Sequence, residues 1–72
     1  MKEIKTTQAL GQLMRQARKS QGLTQEQLAS ISGTGRRFVL DLESGKETCH
    51  LGKTLRVLTM LGFELYLKQK EE

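Results

Sequence analysis

Arg36 and Arg37 stand side by side midway along the chain, and Leu40 and Asp41 follow one helical turn later. On a helix advancing about 100° per residue, Arg36, Leu40, Ser44, Arg37 and Asp41 share one arc of about 140°. Phe38, Val39, Leu42 and, at its edge, Glu43 take the opposite arc. A guanidinium offers two parallel N–H donors that match O6 and N7 of guanine; a leucine can meet a thymine methyl. Asp41 can accept from a cytosine amino group or hold an arginine in place. Arginines in the first turn of a helix oppose the positive end of its dipole, so helix stability does not account for the pair. A helix entering the DNA major groove by its N-terminal end does. Taken alone, the face also suits a solvated charged surface.

Other chemistry has little to stand on. Cys49 and His50 are adjacent, and each is the single residue of its type. A zinc site needs about four ligands and a nucleophilic cysteine needs a base and an orienting group, so neither metal, cofactor nor catalysis is expected. The scattered glycines form no phosphate-cradling motif. His50 is placed to cap a helix or approach a phosphate, and Lys53, in the first turn that follows, is a second phosphate candidate. Arg15 and Arg56 read as solvated.

With 72 residues, the chain makes one small domain. Such a domain buries only about 60% of its unfolded surface and often needs a supplement. One cysteine excludes an internal disulfide, which leaves oligomerisation. A net charge of +4 favours nucleic acid. Six basic residues lie between Arg15 and Lys46 against three acidic ones, which sharpens that bias. No apolar run nears the roughly 20 residues of a membrane span, and the charged start is not a secretion signal. A cytoplasmic protein is expected.

The elements that must carry these residues are marked by caps and glycines, because no proline occurs. Thr6 and Thr7 can cap a first helix with Leu10, Leu13, Met14 and Ala17 on one face, closed by Gly22. Thr24 with Gln27 forms a capping box for a short second helix bearing Leu28, Ala29 and Ile31. A turn at Ser32–Gly35 leads to a third helix over about 35–44, stopped by Gly45. A fourth, over about 51–61, places Leu51, Leu55, Leu58 and Leu61 on one stripe and ends at Gly62. Val57 and Met60 fall off that stripe, as dimer contacts or scattered surface residues. Residues 63–68 then alternate apolar and polar, a strand signal. One strand cannot satisfy its own backbone, so Phe63, Leu65 and Leu67 are expected to belong to a strand paired antiparallel with that of a second copy.

Gly22-Leu23-Thr24-Gln25-Glu26-Gln27-Leu28-Ala29, then Gly33, then Leu42-Glu43-Ser44-Gly45-Lys46, resembles the Xre-type helix-turn-helix of lambdoid phage repressors. The resemblance spans roughly Leu10 to Gly62. It implies an all-α, four-helix, lambda-repressor-like domain. Arg36, Arg37 and Asp41 fall at its base-reading positions, with Leu40 on the same face. Gln25, Thr34, Gly35 and Lys46 fall at or beside backbone contacts, to which Lys53 is added. Arg18 and Glu43 match a buried ion pair joining the first and third helices, which takes Arg18 out of the DNA-binding set. Two departures stand out: Ile31 then Ser32 where a polar residue usually precedes an apolar one, and an apolar Leu40.

With the terminal strand, these features look like the small HipB-type antitoxins. That narrower resemblance implies an antitoxin and autorepressor of a toxin–antitoxin operon. Its partners would be double-stranded operator DNA with an inverted repeat, a second copy of itself, and a HipA-type kinase toxin. The expected organisation is a DNA-binding domain over 1–62, a dimerisation strand over 63–68 and a charged tail over 69–72. A free-standing or phage-type repressor shares the same DNA site, and a protein-interaction module without DNA binding is the reading of another class.

Overall fold

Local capping chemistry fixes where three of the four helices of the computed structural model begin. Residues 2–71 are described; Met1 and Glu72, the outermost residues of the expected domain and tail, lie outside them. The helices are α1 (Thr7–Ser20), α2 (Gln25–Ser32), α3 (Arg36–Glu43) and α4 (Leu51–Met60). Thr6 accepts from the Ala9 amide at 3.0 Å to open α1. In the reciprocal box of α2, Thr24 accepts from the Gln27 amide and Gln27 from the Thr24 amide. His50 Nδ1 accepts from the Lys53 amide at 3.2 Å, so His50 is a cap of α4. Only α3 starts without a side-chain cap, at Gly35.

The helix ends share one device. After α3, Gly45 takes φ +86°, and the next amide, of Lys46, turns back to the Asp41 carbonyl at 3.0 Å. After α4, Gly62 takes φ +88° and the Phe63 amide reaches the Leu58 carbonyl at 2.9 Å. This left-handed closure satisfies carbonyls that a helix end would otherwise orphan. It also reverses the chain sharply enough to pack four short helices around one core.

That core consists of Met14, Leu28, Ala29, Val39, Leu42, Val57, Leu58 and Leu61, with Leu10, Ala17, Phe38, Cys49 and Phe63 packed against it. The pairing of α1 with α3 depends on Gly11, which is buried. A Cβ there would lie 2.3 Å from the Leu42 carbonyl oxygen and 2.8 Å from that of Glu43. The Thr7 hydroxyl donates to the Gly45 carbonyl at 2.8 Å beside this contact.

Two helices bury faces that differ from simple hydrophobic counting. On α4, Thr54, Val57, Leu58 and Leu61 turn inward, while Leu51, Leu55 and Met60 are exposed. The buried arc is rotated by roughly 55° from the expected leucine stripe. Thr54 makes this possible, because its hydroxyl donates to the His50 carbonyl at 2.8 Å and needs no water. Val57, expected off the stripe, is therefore a core residue. On α2, Ile31 is 47% exposed whereas Ser32 is buried with its hydroxyl on the Leu28 carbonyl at 2.7 Å.

Beyond α4 the single chain carries no strand among the described residues: 63–71 have no regular secondary structure. Nothing described in the chain offers these residues a pairing edge, so the expected strand has no partner within one copy. Phe63 departs from the expectation more directly, since its ring packs on the core and its amide closes α4. From Glu64 onward every described residue is exposed, Leu67 at 93%.

Gly11→Ala should destabilise the fold by about 1–3 kcal/mol, the usual range for overpacking where neighbours cannot yield. Here the obstacle is backbone of α3, not a movable side chain. In chemical denaturation Gly35→Ser, in open space at the uncapped start of α3, should be neutral or slightly stabilising. Equal effects at the two glycines would contradict the close α1–α3 approach.

Candidate nucleic-acid interface

One buried ion pair holds the surface together. Arg18 Nε donates to Glu43 Oε2 at 2.6 Å and Nη2 to Oε1 at 3.0 Å, while Nη1 donates to the Leu23 carbonyl at 2.8 Å. Gln25 Nε2 donates to the same Oε1 at 3.2 Å. The two charged side chains are 9% and 5% exposed. Every hydrogen bond here is charge-assisted or completes the carboxylate's acceptor capacity, which offsets the cost of burying both ions. The group thus links the end of α1, the loop after it, the start of α2 and the end of α3. It fixes α3 relative to the N-terminus of α2.

Against that support α3 presents its outward face. Val39 and Leu42 are buried and Phe38 half-buried, leaving Arg36 and Arg37 exposed and Leu40 half-buried. Arg36, Leu40 and Gln25 line one open cleft of about 920 Å³ with Arg15 and Lys19 of α1. Beside it, Arg37 Nε lies 3.3 Å from Asp41 Oδ1, and Lys46 Nζ lies 3.5 Å from Asp41 Oδ2. The glycine closure after α3 carries Lys46 back over Asp41, so sequence-distant charges meet through backbone geometry.

The remaining expected positions are more separate. Thr34, half-buried, pairs its hydroxyl with that of Ser32 at 2.9 Å. Gly35 has open space around it. Lys53 places its ammonium 5.8 Å from the centre of the Phe38 ring, a cation–π contact, and belongs to neither cluster. Arg15 and Lys19 were not part of the expected site. Their i, i+4 spacing on α1 is plain in the sequence, but only the packing of α1 against α3 brings that face to the cleft.

Cys49 is half-buried, with its thiol donating to the Lys46 carbonyl at 3.4 Å. Burial, and secondarily the Asp41 carboxylate, pushes its pKa up, which disfavours the reactive thiolate. Among the described residues no group of three His, Cys, Asp or Glu side chains could hold a metal ion. No described helix is long and apolar enough to cross a membrane.

Residues 9–67 match the family described as Helix-turn-helix domain, a span that runs past α4 to Leu67. An uncharacterized HTH-type transcriptional regulator of Sinorhizobium fredii, y4mF, is 51% identical over 61 residues, 85% of this chain and 80% of that protein. Among solved structures, the restriction-modification controller protein C.AhdI from Aeromonas hydrophila is 36% identical, with a TM-score of 0.71 over 81% of this chain and 84% of its own. A chain from the HipA-HipB-O2-O3 complex superposes with a TM-score of 0.87 at 21% identity, over 99% of this chain and 100% of its own. At that identity the likeness is one of fold, and its coverage takes in the tail after α4.

Arg18→Ala should cost on the order of 3–5 kcal/mol, because Glu43 would remain buried without its cation. The double change Arg18→Met with Glu43→Leu should be less destabilising than either single change, since no charge is stranded. Denaturant titration of the three variants measures this; additive losses would show that the pair is not coupled.

Proposed function

Because the chain belongs to the helix-turn-helix domain family, of Xre type, we propose that it is a transcriptional repressor reading operator DNA with the first turns of α3. Proteins of this family bind DNA and are not enzymes. The observation that carries the reading is the adjacent, exposed Arg36–Arg37 pair at an uncapped helix start, on a face whose opposite side is core. Arg36 and Arg37 carry base recognition, with Leu40 against a thymine methyl. Gln25, Thr34, the Gly35 backbone, Lys46 and Lys53 contact phosphates and set the register. Gly35 suits that task because it lets the backbone approach closely.

A homodimer completes the reading. Leu65 and Leu67 alternate with Glu64, Tyr66 and Lys68 on an exposed tail that is included in both the family match and the superposition with the HipA-HipB-O2-O3 chain. Two tails pairing antiparallel across a two-fold axis would satisfy each other's backbone and cover these leucines. The pairing begins at Glu64, with Phe63 anchoring the tail to the core. Two such domains address half-sites about one helical turn apart on an inverted repeat.

The further partner is a HipA-type kinase toxin, with this chain as antitoxin and autorepressor. Its support is the sequence resemblance together with the shared fold, tail included. A regulator without a toxin is the second reading, favoured by the 36% identity to a restriction-modification controller protein and the 51% identity to an HTH-type regulator. Co-purification of the native protein with untagged products of neighbouring genes separates the two.

Arg36→Ala or Arg37→Ala should weaken operator binding by about 1–3 kcal/mol and relax preference at one base pair. Titrations against single-base operator variants read this out, and equal losses on random duplex would remove the base-reading role. Lys46→Ala should weaken binding to every sequence alike and flatten its salt dependence. For the dimer, Leu65→Pro removes a ladder donor. Light scattering should then show a shift towards monomer; an undiminished dimer would exclude tail pairing.

A further inference from the structure

We infer that Asp41 is a positioning residue that aims Arg37 at its base, and does not itself read one. The inference rests on the reading of α3 as the DNA-recognition helix. Asp41's side chain is only 16% exposed, although it lies on the outward arc of α3. Its two oxygens each face a cation, Oδ1 the Arg37 Nε at 3.3 Å and Oδ2 the Lys46 Nζ at 3.5 Å. A cytosine amino group would have to reach a largely covered carboxylate already flanked by both cations. Arg37, by contrast, is 82% exposed.

Helix stability does not explain the pair. An arginine four residues before an aspartate is the less favourable order with respect to the helix dipole, and exposed ion pairs contribute little. Geometry supplies a better reason. A guanidinium has five N–H donors in a planar fork. With Nε close to Asp41, the two Nη groups are left for other partners, and they are donors that match O6 and N7 of guanine. Holding a long, flexible side chain in this state before binding also lowers the conformational entropy lost on contact.

The carboxylate has a second effect. A free exposed arginine can settle on any nearby phosphate, which adds affinity without sequence information. Asp41 repels phosphate oxygens from the same spot and holds Arg37 away from them. It trades general affinity for discrimination. Lys46 reaches the other oxygen from the C-terminal side, through a turn that requires Gly45 at positive φ.

The test uses the full chain and the duplex it selects from a random library, with titrations against every single-base variant and against unselected duplex. Arg37→Ala, Asp41→Ala, Asp41→Asn, their double change Arg37→Ala/Asp41→Ala, and Arg36→Ala are compared, each checked for folding by circular dichroism. Asp41→Ala should reduce discrimination about tenfold at the same base pair as Arg37→Ala. Its affinity for unselected duplex should be unchanged or higher, and the double change should discriminate no worse than Arg37→Ala. Asp41→Asn keeps the side chain's shape without its charge and should fall between wild type and Asp41→Ala.

Loss at a different base pair, additive with Arg37→Ala, would make Asp41 a base reader and overturn the inference. Undiminished discrimination by Asp41→Ala would overturn it too, leaving a passive surface pair. Wild-type protein that selects no sequence, with Arg36→Ala equally indifferent, would instead remove the DNA-reading role of α3 and this inference with it.

Discussion

The outward face of α3 depends on an ion pair that is almost wholly buried. Arg18 reaches from the last turns of α1 to Glu43 at the end of α3, and Gln25 at the start of α2 shares the same carboxylate. An apolar contact in that place would hold the helices together but tolerate rotation and sliding. Directional hydrogen bonds to one carboxylate do not. They set α3 about its own axis, and that rotation decides whether Arg36 and Arg37 face away from the core. Gly11 makes the arrangement possible by letting α1 approach the backbone of α3 closely enough for the arginine to span the gap. A small core thus gains by polar geometry the definition that larger domains draw from the number of packed side chains.

Helix limits and the outward face of α3 were legible in the residues themselves. Thr6, the Thr24–Gln27 box and the glycines after each helix act within a few residues, so their effect does not depend on tertiary context. The same locality explains why Arg36 and Arg37 were readable as a pair. The inward faces of α2 and α4 were less so. Ser32 and Thr54 each bond a carbonyl one turn back, which lets a hydroxyl enter the core and displaces a neighbouring aliphatic residue to the surface. Hydrophobic periodicity counts such residues as polar and misplaces the buried arc. Ile31, Leu51 and Leu55 are the residues this turned outward.

The tail and the Asp41 cluster mark two other limits of local reading. Alternation from residue 63 to 68 expresses a preference for extended backbone but carries no information on where the pairing edge lies. Phe63 shows the competition: its amide is taken by α4 and its ring by the core, so the alternating pattern begins one residue before any strand could. Asp41 and Lys46 are five positions apart, a spacing with no meaning on a continuous helix. Only the left-handed turn at Gly45 folds one back over the other. Likewise Arg15 and Lys19 reach the cleft through helix packing, for which their own segment holds no signal.

A chain of 72 residues with no proline, turning at glycines, has kinetic consequences. No prolyl bond has to isomerise, so the seconds-to-minutes step that delays many domains is absent. Most contacts lie within helices, even though α1 packs on α3 and α2 on α4, which favours folding in microseconds to milliseconds. From Glu64 onward the tail is exposed within the chain, so the helical domain forms without it. A refolding phase that accelerates with concentration therefore reports an encounter between molecules, after the helical domain has formed.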